Sequence, residues 1–251
     1  MDTLAELAHT APGPRTAFHS RLQLVGYLAY FGLMGVLAAM VWRAIQVNPM
    51  PVWLFVVVAI AAYLAADLLS GVVHFLADNF GTPETPFVGP GFVLPFREHH
   101  RDPKGITRHG FFEANGNNAL VCLPVLIPTV VLVPVMETRL GFLTGLFVLV
   151  LLLAAFLTNQ VHKWAHQDLP PAPVRALQRA GLIISKDHHD RHHTSPHDTY
   201  YCITVGLWNP LFERYRVFAR LERFLRRWVP GVDARTRVEQ EMRDARSAQA
   251  S

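Results

Sequence analysis

The 251-residue sequence predicts an all-α integral membrane protein with about four transmembrane helices and a cytosolic helical cap. A mean hydropathy of +0.22 with only 17% charged residues is high for a soluble domain. Four apolar stretches also approach the roughly 20 residues that a helix needs to cross a hydrocarbon core. The chain has 13 histidines, and most of them fall in short clusters. Because imidazole is a strong ligand for iron, zinc and copper, the cap is predicted to carry a histidine-rich di-metal site.

The four apolar stretches are the predicted membrane spans. They run from about Leu22 to Trp42, Val52 to Leu76, Ala119 to Met136 and Leu140 to Val161. Pro49 and Pro51 stop a helix, so the first two spans form a tight hairpin. In the third stretch Pro124, Pro128 and Pro134 would each kink a helix, and a re-entrant segment is the alternative there.

The charges predict which side of the membrane each end occupies. An even number of crossings puts the N-terminus, the connection from about Gly81 to Asn118 and the chain after His162 on one side. Basic residues concentrate on that side: Arg15, Arg21, Arg97, Arg101, Lys104, Arg108, Lys163 and Arg175. Only Arg43 and Arg139 lie near the opposite hairpins. The positive-inside rule therefore makes both termini and every clustered histidine cytosolic.

Three segments flank the membrane domain, which is predicted at residues 22–210. Residues 1–21 are expected to be a mobile leader whose His9 and His19 take no part in the metal site, and residues 231–251 a polar tail. Residues 211–230 are predicted to form a basic amphipathic helix in an anionic headgroup layer, or alternatively a solvated helix packed on the domain. Its apolar positions are Leu211, Phe212, Tyr215, Phe218, Leu221, Leu225 and Trp228. The net charge of +4 thus indicates anionic lipid as partner, and no nucleic acid.

One histidine and two carboxylates follow one stripe of the second span. Asp67, Gly71, His74 and Asp78 recur at helical spacing, so His74 and Asp78 can face one metal. Asp67 lies about 10 Å deeper. It is predicted to support the site or line a substrate tunnel, and a structural hydrogen bond is equally compatible with the pattern.

Two further motifs supply imidazoles. His162 and His166 form a one-turn pair at the end of the fourth span, although a chance or core pair remains an alternative. Lys163 stands where a zinc protease needs glutamate, so that chemistry has no support. In the run from His188 to His197, a helix would place His189, His192 and His193 on one face. A solvated or pH-sensing patch is the alternative for that run.

The long connection adds His99, His100 and His109. Adjacent histidines diverge by about 100° on a helix, so one of the first two can bind metal while the other supports a ligand. Eight or more histidines with one or two carboxylates exceed the needs of a single ion. Two metals at a membrane face favour iron-based oxygen activation over hydrolysis.

Three stretches carry a family resemblance: PFREHHRDPKGITRH, TNQVHKWAH and KDHHDRHHTSPHDTYYCITVG. They resemble signature stretches of the plasmanylethanolamine desaturase family, also called the Kua or transmembrane lipid desaturase family, which includes a bacterial branch. The likeness runs from about Asp67 to Asn209. It implies metal ligands at His74, Asp78, His99, His100, His162, His166, His189, His192 and His193. His188 and His197 are added as predicted ligands on motif positions, and Asp67 and His109 as supporting residues.

The resemblance also implies an activity. The expected enzyme uses two Fe ions, O2 and electrons from an external donor such as cytochrome b5 or ferredoxin. It would introduce the vinyl ether double bond into the sn-1 O-alkyl chain of plasmanylethanolamine, in a bacterial inner membrane. Four basic residues are predicted to hold the lipid phosphate: Arg97, Arg101, Lys104 and Arg108. The alternative is that they only orient the protein in the membrane, as the positive-inside rule describes.

Other functions stay open from the residues alone. A desaturase or hydroxylase acting on an acyl chain would use the same centre. A haem-binding membrane cytochrome is a more distant alternative, because it leaves most cytosolic histidines without a role. A metal transporter should carry ligands midway through several spans, where only Asp67 lies deep.

Overall fold

A computed structural model describes residues 14–47, 49–82, 85–86 and 88–228, and none of these residues lies in a strand. The helices are α1 Pro14–Val47, α2 Val52–Asn79, α3 Leu94–Arg101, α4 Phe111–Leu132, α5 Arg139–Ala165, α6 Ala172–Arg179, α7 Lys186–His189, α8 Asn209–Arg214 and α9 Val217–Leu225. A π-helical turn, Gly89–Val93, leads into α3, and a 3-10 turn, Gly105–Arg108, follows it. Four helices, α1, α2, α4 and α5, are long and apolar enough to cross a membrane. The all-α membrane class is therefore confirmed, and the protein is a multi-pass membrane protein.

The four long helices form a bundle around α5. Helices α1, α2 and α4 all pack against α5, and α1 also packs against α4. Leu37, Leu126 and Leu152 are almost completely buried in the shared core. The outer faces instead expose aliphatic side chains such as Leu28 and Val131, as helices in contact with lipid do.

Contacts between helix ends fix the two ends of the bundle. The Tyr27 hydroxyl of α1 donates to the Phe112 carbonyl of α4, and the Asn159 amide of α5 donates to Ala114 O of α4 at 2.8 Å. At the opposite end, the rings of Phe55 and Phe142 lie 5.6 Å apart. All the clustered histidines therefore belong to segments at one end of the bundle, as the crossing pattern predicts.

Two helices in the membrane region differ in their ends from the predicted spans. Helix α1 begins at Pro14, within the expected leader, while its candidate membrane span begins at Arg21, close to the predicted Leu22. Helix α4 runs continuously over Phe111–Leu132, which rules out a re-entrant segment and moves both ends of the third span. Pro124 and Pro128 lie inside it, and both are exposed on its outer face. Residues 1–13 and the tail at 231–251 lie outside the described residues.

The C-terminal basic segment is two helices instead of the single predicted one. Arg216 adopts a left-handed conformation, with φ of 49°, and this separates α8 from α9. After this break, some apolar residues of the segment pack on the domain and others are exposed. Phe212 and Phe218 pack with Phe75 and Tyr201, whereas Phe224 is exposed. Part of the segment is thus packed on the domain, and its placement in a headgroup layer stays a prediction.

Candidate metal centre

Five histidines from four parts of the chain converge at the end of the bundle. His99, His162, His166, His189 and His193 each offer one ring nitrogen, and these nitrogens lie within 4.8 Å of one another. Helix α5 and its C-cap residue supply the one-turn pair, α3 and α7 supply one ring each, and the turn after α7 supplies the fifth. We call this set the all-histidine group.

The nitrogen spacing in the all-histidine group fits a bound metal ion. The Nε2 atom of His162 lies 2.8 Å from Nε2 of His189 and 3.1 Å from Nε2 of His166. The Nε2 atoms of His189 and His193 are 3.1 Å apart. Two imidazole nitrogens about 2.1 Å from an ion and at right angles to each other would be about 3.0 Å apart. The donor set is therefore compatible with one transition metal ion.

A second group contains the only carboxylate of the centre among the described residues. His74, Asp78, His100 and His192 have ligand atoms within the same 4.8 Å limit. Asp78 Oδ2 lies 3.1 Å from Nε2 of His100, 3.4 Å from Nε2 of His74 and 3.5 Å from Nε2 of His192. Both carboxylate oxygens are buried without a hydrogen-bond donor. Because a buried charge needs compensation, this carboxylate group fits a cation.

The two groups are neighbours. His99 and His100 are consecutive on α3 and belong one to each group. A further set, His100, His193 and His197, connects the groups through shared members. The centre therefore offers two adjacent sets of donors, and its occupation by two ions stays a prediction.

Backbone carbonyls orient several of these rings. The Nδ1–H group of His74 donates to Tyr201 O at 3.1 Å, and that of His192 donates to Thr199 O at 2.7 Å. His197 donates in the same way to His192 O at 3.2 Å. Fixing the proton on Nδ1 leaves the Nε2 lone pair available to the site. Sequence reasoning missed these carbonyls, although both Thr199 and Tyr201 lie in the third quoted motif.

Asp67 holds the segment that supplies the two carbonyls. Its Oδ1 accepts backbone N–H bonds from Thr204, Val205 and Gly206 at 2.8 to 3.2 Å, and its Oδ2 accepts one from Leu207 at 3.0 Å. Asp67 is fully buried. These bonds match the structural alternative for this residue, because its carboxylate is occupied by the backbone of the loop.

Two more residues complete this attachment. Ser70 Oγ accepts from Ile203 N at 3.1 Å, and the Asn209 side chain bonds both N–H and C=O of Cys202 at 2.9 Å. Cys202 in turn lies against Gly71, where a Cβ atom would overlap its sulfur. The stripe of Asp67, Gly71 and His74 on α2 thus joins loop attachment to metal ligation.

Burial keeps the imidazoles outside the spans neutral. It holds the pKa values of His99, His189 and His192 well below their usual range, and the neighbouring histidines lower them further. Burial also lowers the pKa of His166 to about 4. Neutral imidazole is the protonation state that binds a metal.

The lipid desaturase domain family matches residues 63–237 of this sequence. The chain belongs to this family. Every member of the two donor groups lies inside the matched range, and so do the residues that orient and attach them.

Individual relatives also match over much of the chain. It is 44% identical over 180 residues to plasmanylethanolamine desaturase of Myxococcus xanthus, a segment covering 72% of this chain and 63% of the relative. It is 41% identical over 176 residues to plasmanylethanolamine desaturase 1 of Mus musculus, covering 65% of this chain and 62% of the relative. Chloroplastic fatty acid desaturase 4 of Arabidopsis thaliana is 38% identical over 168 residues, which cover 64% of this chain and 49% of that protein. The chain thus spans less than two thirds of the length of each of these relatives. No solved structure matches it.

Two predicted site histidines lie outside the two donor groups. His188 Nε2 accepts from the Asn209 amide at 3.0 Å, and its ring contacts Tyr200. This side chain faces the attached loop because His189, the next residue, faces the metal centre. His109 is largely exposed, and its Nε2 lies 3.9 Å from Glu113 Oε1. The geometry therefore gives neither residue a place among the ligands.

The basic residues predicted to bind a lipid phosphate are mostly engaged within the protein. Arg97 is buried and donates to Gly81 O at 2.6 Å. Lys104 pairs with Asp168 at 2.6 Å. Arg108 pairs with Asp102, and Arg101 is exposed. For Arg97, burial argues against the headgroup role, because its guanidinium binds the backbone just after α2.

Proposed function

We propose that this chain is a plasmanylethanolamine desaturase that uses two Fe ions and dioxygen. The reaction removes two hydrogen atoms from the first two carbons of an sn-1 O-alkyl chain and leaves a vinyl ether double bond. Dioxygen is reduced to two water molecules, and two electrons and two protons are supplied from outside. The substrate is proposed from the printed names of the Myxococcus and mouse relatives.

The observation that carries the proposal is the pair of adjacent donor groups at the end of an apolar bundle. Their donors are neutral imidazoles with a single carboxylate, a set that suits iron. When bound, an iron pair supplies the activation of dioxygen that an unactivated C–H bond requires. Metal-assisted hydrolysis at a zinc site uses three or four protein ligands and an open position for water. The two buried groups together offer more donor side chains than such a site needs.

The residues of the chain have separate tasks in this reaction. The all-histidine group holds one ion and the group around Asp78 holds the other. The carbonyls of Thr199 and Tyr201 keep the rings of His192 and His74 turned toward the centre. The surrounding apolar helices exclude water, which protects reactive species and holds the alkyl chain in one orientation.

Two further parts of the proposal concern the surroundings of the enzyme. We place the metal centre on the cytosolic side of a bacterial inner membrane, because basic residues concentrate at that end of the chain. The sequence contains no flavin or nicotinamide fingerprint, so electrons are proposed to come from a separate protein such as cytochrome b5 or a ferredoxin.

Lipid analysis tests the activity. The chain is expressed in cells that make alkyl ether phospholipids but no vinyl ethers, beside a His166→Ala variant. Acid-labile vinyl ether lipids should accumulate with the unchanged chain only. Their absence in cells that contain the folded, metal-loaded protein would refute the plasmalogen assignment.

A second candidate is desaturation of an acyl chain in a membrane glycerolipid. The 38% identity to fatty acid desaturase 4 of Arabidopsis favours keeping it. The same lipid extracts separate the two candidates, since this reaction would yield a new acyl double bond and no acid-labile lipid.

A further inference from the structure

A narrow cleft lies between α2 and α4 on the surface of α5, on the membrane side of the metal centre. Its enclosed part holds only about 50 Å³, and the rest of the cleft is an open groove between the helices. The end nearest the metal centre is formed by Val73, Phe96 and Asn159, and the far end by Ala66, Cys122 and Ala155. We call this the chain cleft.

The near end of the chain cleft adjoins the metal ligands directly. Val73 precedes His74, and the ring of Phe96 lies 5.0 Å from the ring of His74. Asn159 stands one turn before His162 on α5. The far end is about 12 Å away, which is the rise along α2 from Ala66 to His74 at about 1.5 Å per residue. A molecule lying in the cleft would therefore point one end at the centre.

The polar groups that line the chain cleft are already hydrogen-bonded within the protein. Ser70 donates to Asp67 O at 2.7 Å, Thr158 donates to Ala154 O at 3.1 Å, and the Asn118 amide donates to Ala155 O at 3.0 Å. These donors need no water from the cleft. A dry, mostly apolar cleft of this kind suits a hydrocarbon chain.

The mouth of the chain cleft opens toward lipid. Val121 lines it and is 38% exposed, on a helix long and apolar enough to cross the membrane. Helices α2 and α5 form the other walls and are spans as well. The opening therefore lies at the depth of the hydrocarbon core, and a chain can enter sideways from the bilayer.

We propose that the chain cleft holds the sn-1 hydrocarbon chain of a membrane glycerolipid and that Ala66, Cys122 and Ala155 set the accepted chain length. This assignment rests on the proposed function. It places the carbons nearest the headgroup close to the metal ligands and the far end of the chain at the small residues. A larger side chain at the far end then shortens the space for the chain.

Chain-length profiling tests the small residues. Ala155→Leu should raise the ratio of shorter to longer alkyl chains among the products about tenfold, the preference that two unburied methylene groups create. Val121→Trp should block the mouth and reduce product at least about tenfold. Val131→Trp is the matched control, because Val131 lies about 15 Å farther along α4 and is 70% exposed. Unchanged profiles and yields in both cleft variants would overturn the assignment.

Photo-crosslinking tests the cleft independently of turnover. The full chain is placed in phosphatidylcholine vesicles with a 1-O-alkyl phospholipid that carries a diazirine at the alkyl end. Cross-links should map to the far end of the cleft, disappear in Val121→Trp and persist in Val131→Trp. Cross-links confined to outer helix faces, or cleft labelling by a diazirine fatty acid alone, would overturn the assignment. If the chain makes no vinyl ether yet the lipid labels the cleft, the proposed function fails and the cleft assignment stands.

Discussion

At the scale of single residues, the metal centre depends on which nitrogen of each ring carries the proton. His74 and His192 each give one nitrogen to a backbone carbonyl and the other to the site. The sequence predicts the side chains that meet here, because histidines and a buried carboxylate are chemically distinctive. It does not identify Thr199 or Tyr201 as their partners, because every residue has a carbonyl and only the fold selects these two.

Metal content should follow membership of the donor groups. We expect about two iron atoms per chain in the unchanged protein, and loss of metal and desaturation in His166→Ala and His189→Ala. His109→Ala should keep its metal, because that side chain is largely exposed and lies outside the groups. Elemental analysis of the purified variants measures this. One zinc per chain, with lipid products unaffected in the first two variants, would contradict the two-iron assignment.

Asp67 is expected to control metal retention without touching the metal. In Asp67→Asn, one oxygen that accepts backbone N–H groups becomes a donor, which should cost about 1–3 kcal/mol. The loop should then hold His74 and His192 less firmly, so metal should leave faster in a chelator challenge. Ser70→Ala removes one side-chain acceptor that binds a backbone N–H group of the same loop, and it should have a smaller effect. Equal rates of metal release in Asp67→Asn and the unchanged protein would argue against this role.

At the scale of secondary-structure elements, helical spacing predicts contacts well where a helix continues and poorly where it ends. The one-turn pair His162 and His166 lies together as its spacing predicts, because α5 continues through Ala165. The apolar positions from Leu211 to Trp228 also have helical spacing, yet the left-handed turn at Arg216 rotates α9 relative to α8. Nothing in the spacing signals that turn, so the single-helix prediction fails there.

The two phenylalanines of α9 should differ in their effect on stability. Phe218 is 4% exposed and its ring lies 5.0 Å from that of Tyr201, whereas Phe224 is 55% exposed. Phe218→Ala should lower the free energy of unfolding by about 3–5 kcal/mol, because it leaves a cavity beside the carbonyl that orients His74. Phe224→Ala should change it little. Thermal unfolding in detergent compares them, and equal melting temperatures would show that α9 does not pack on the domain.

At the scale of the whole molecule, hydropathy and the even number of membrane crossings predict the architecture without knowledge of side-chain contacts. Four apolar stretches and their connections suffice to bring every histidine motif to one end of the bundle. The sequence leaves the helix ends and the chain cleft undetermined, because both depend on how α2 and α4 pack on α5. Packing depends on side-chain shape, which a pattern of apolar and polar positions does not contain.

The sidedness of the bundle can be tested with thiol labelling of intact cells. Cys122 and Cys202 are buried, so they should react little and leave a low background. Cysteines are introduced at Glu137, in the hairpin between α4 and α5, and at Asp168, just beyond α5; both positions are exposed. If the positive-inside rule orients the chain, an impermeant maleimide should label Glu137→Cys in intact cells and Asp168→Cys only after lysis. The reverse pattern would put the metal centre outside the cytosol, where cytosolic cytochrome b5 or ferredoxin could not reduce it.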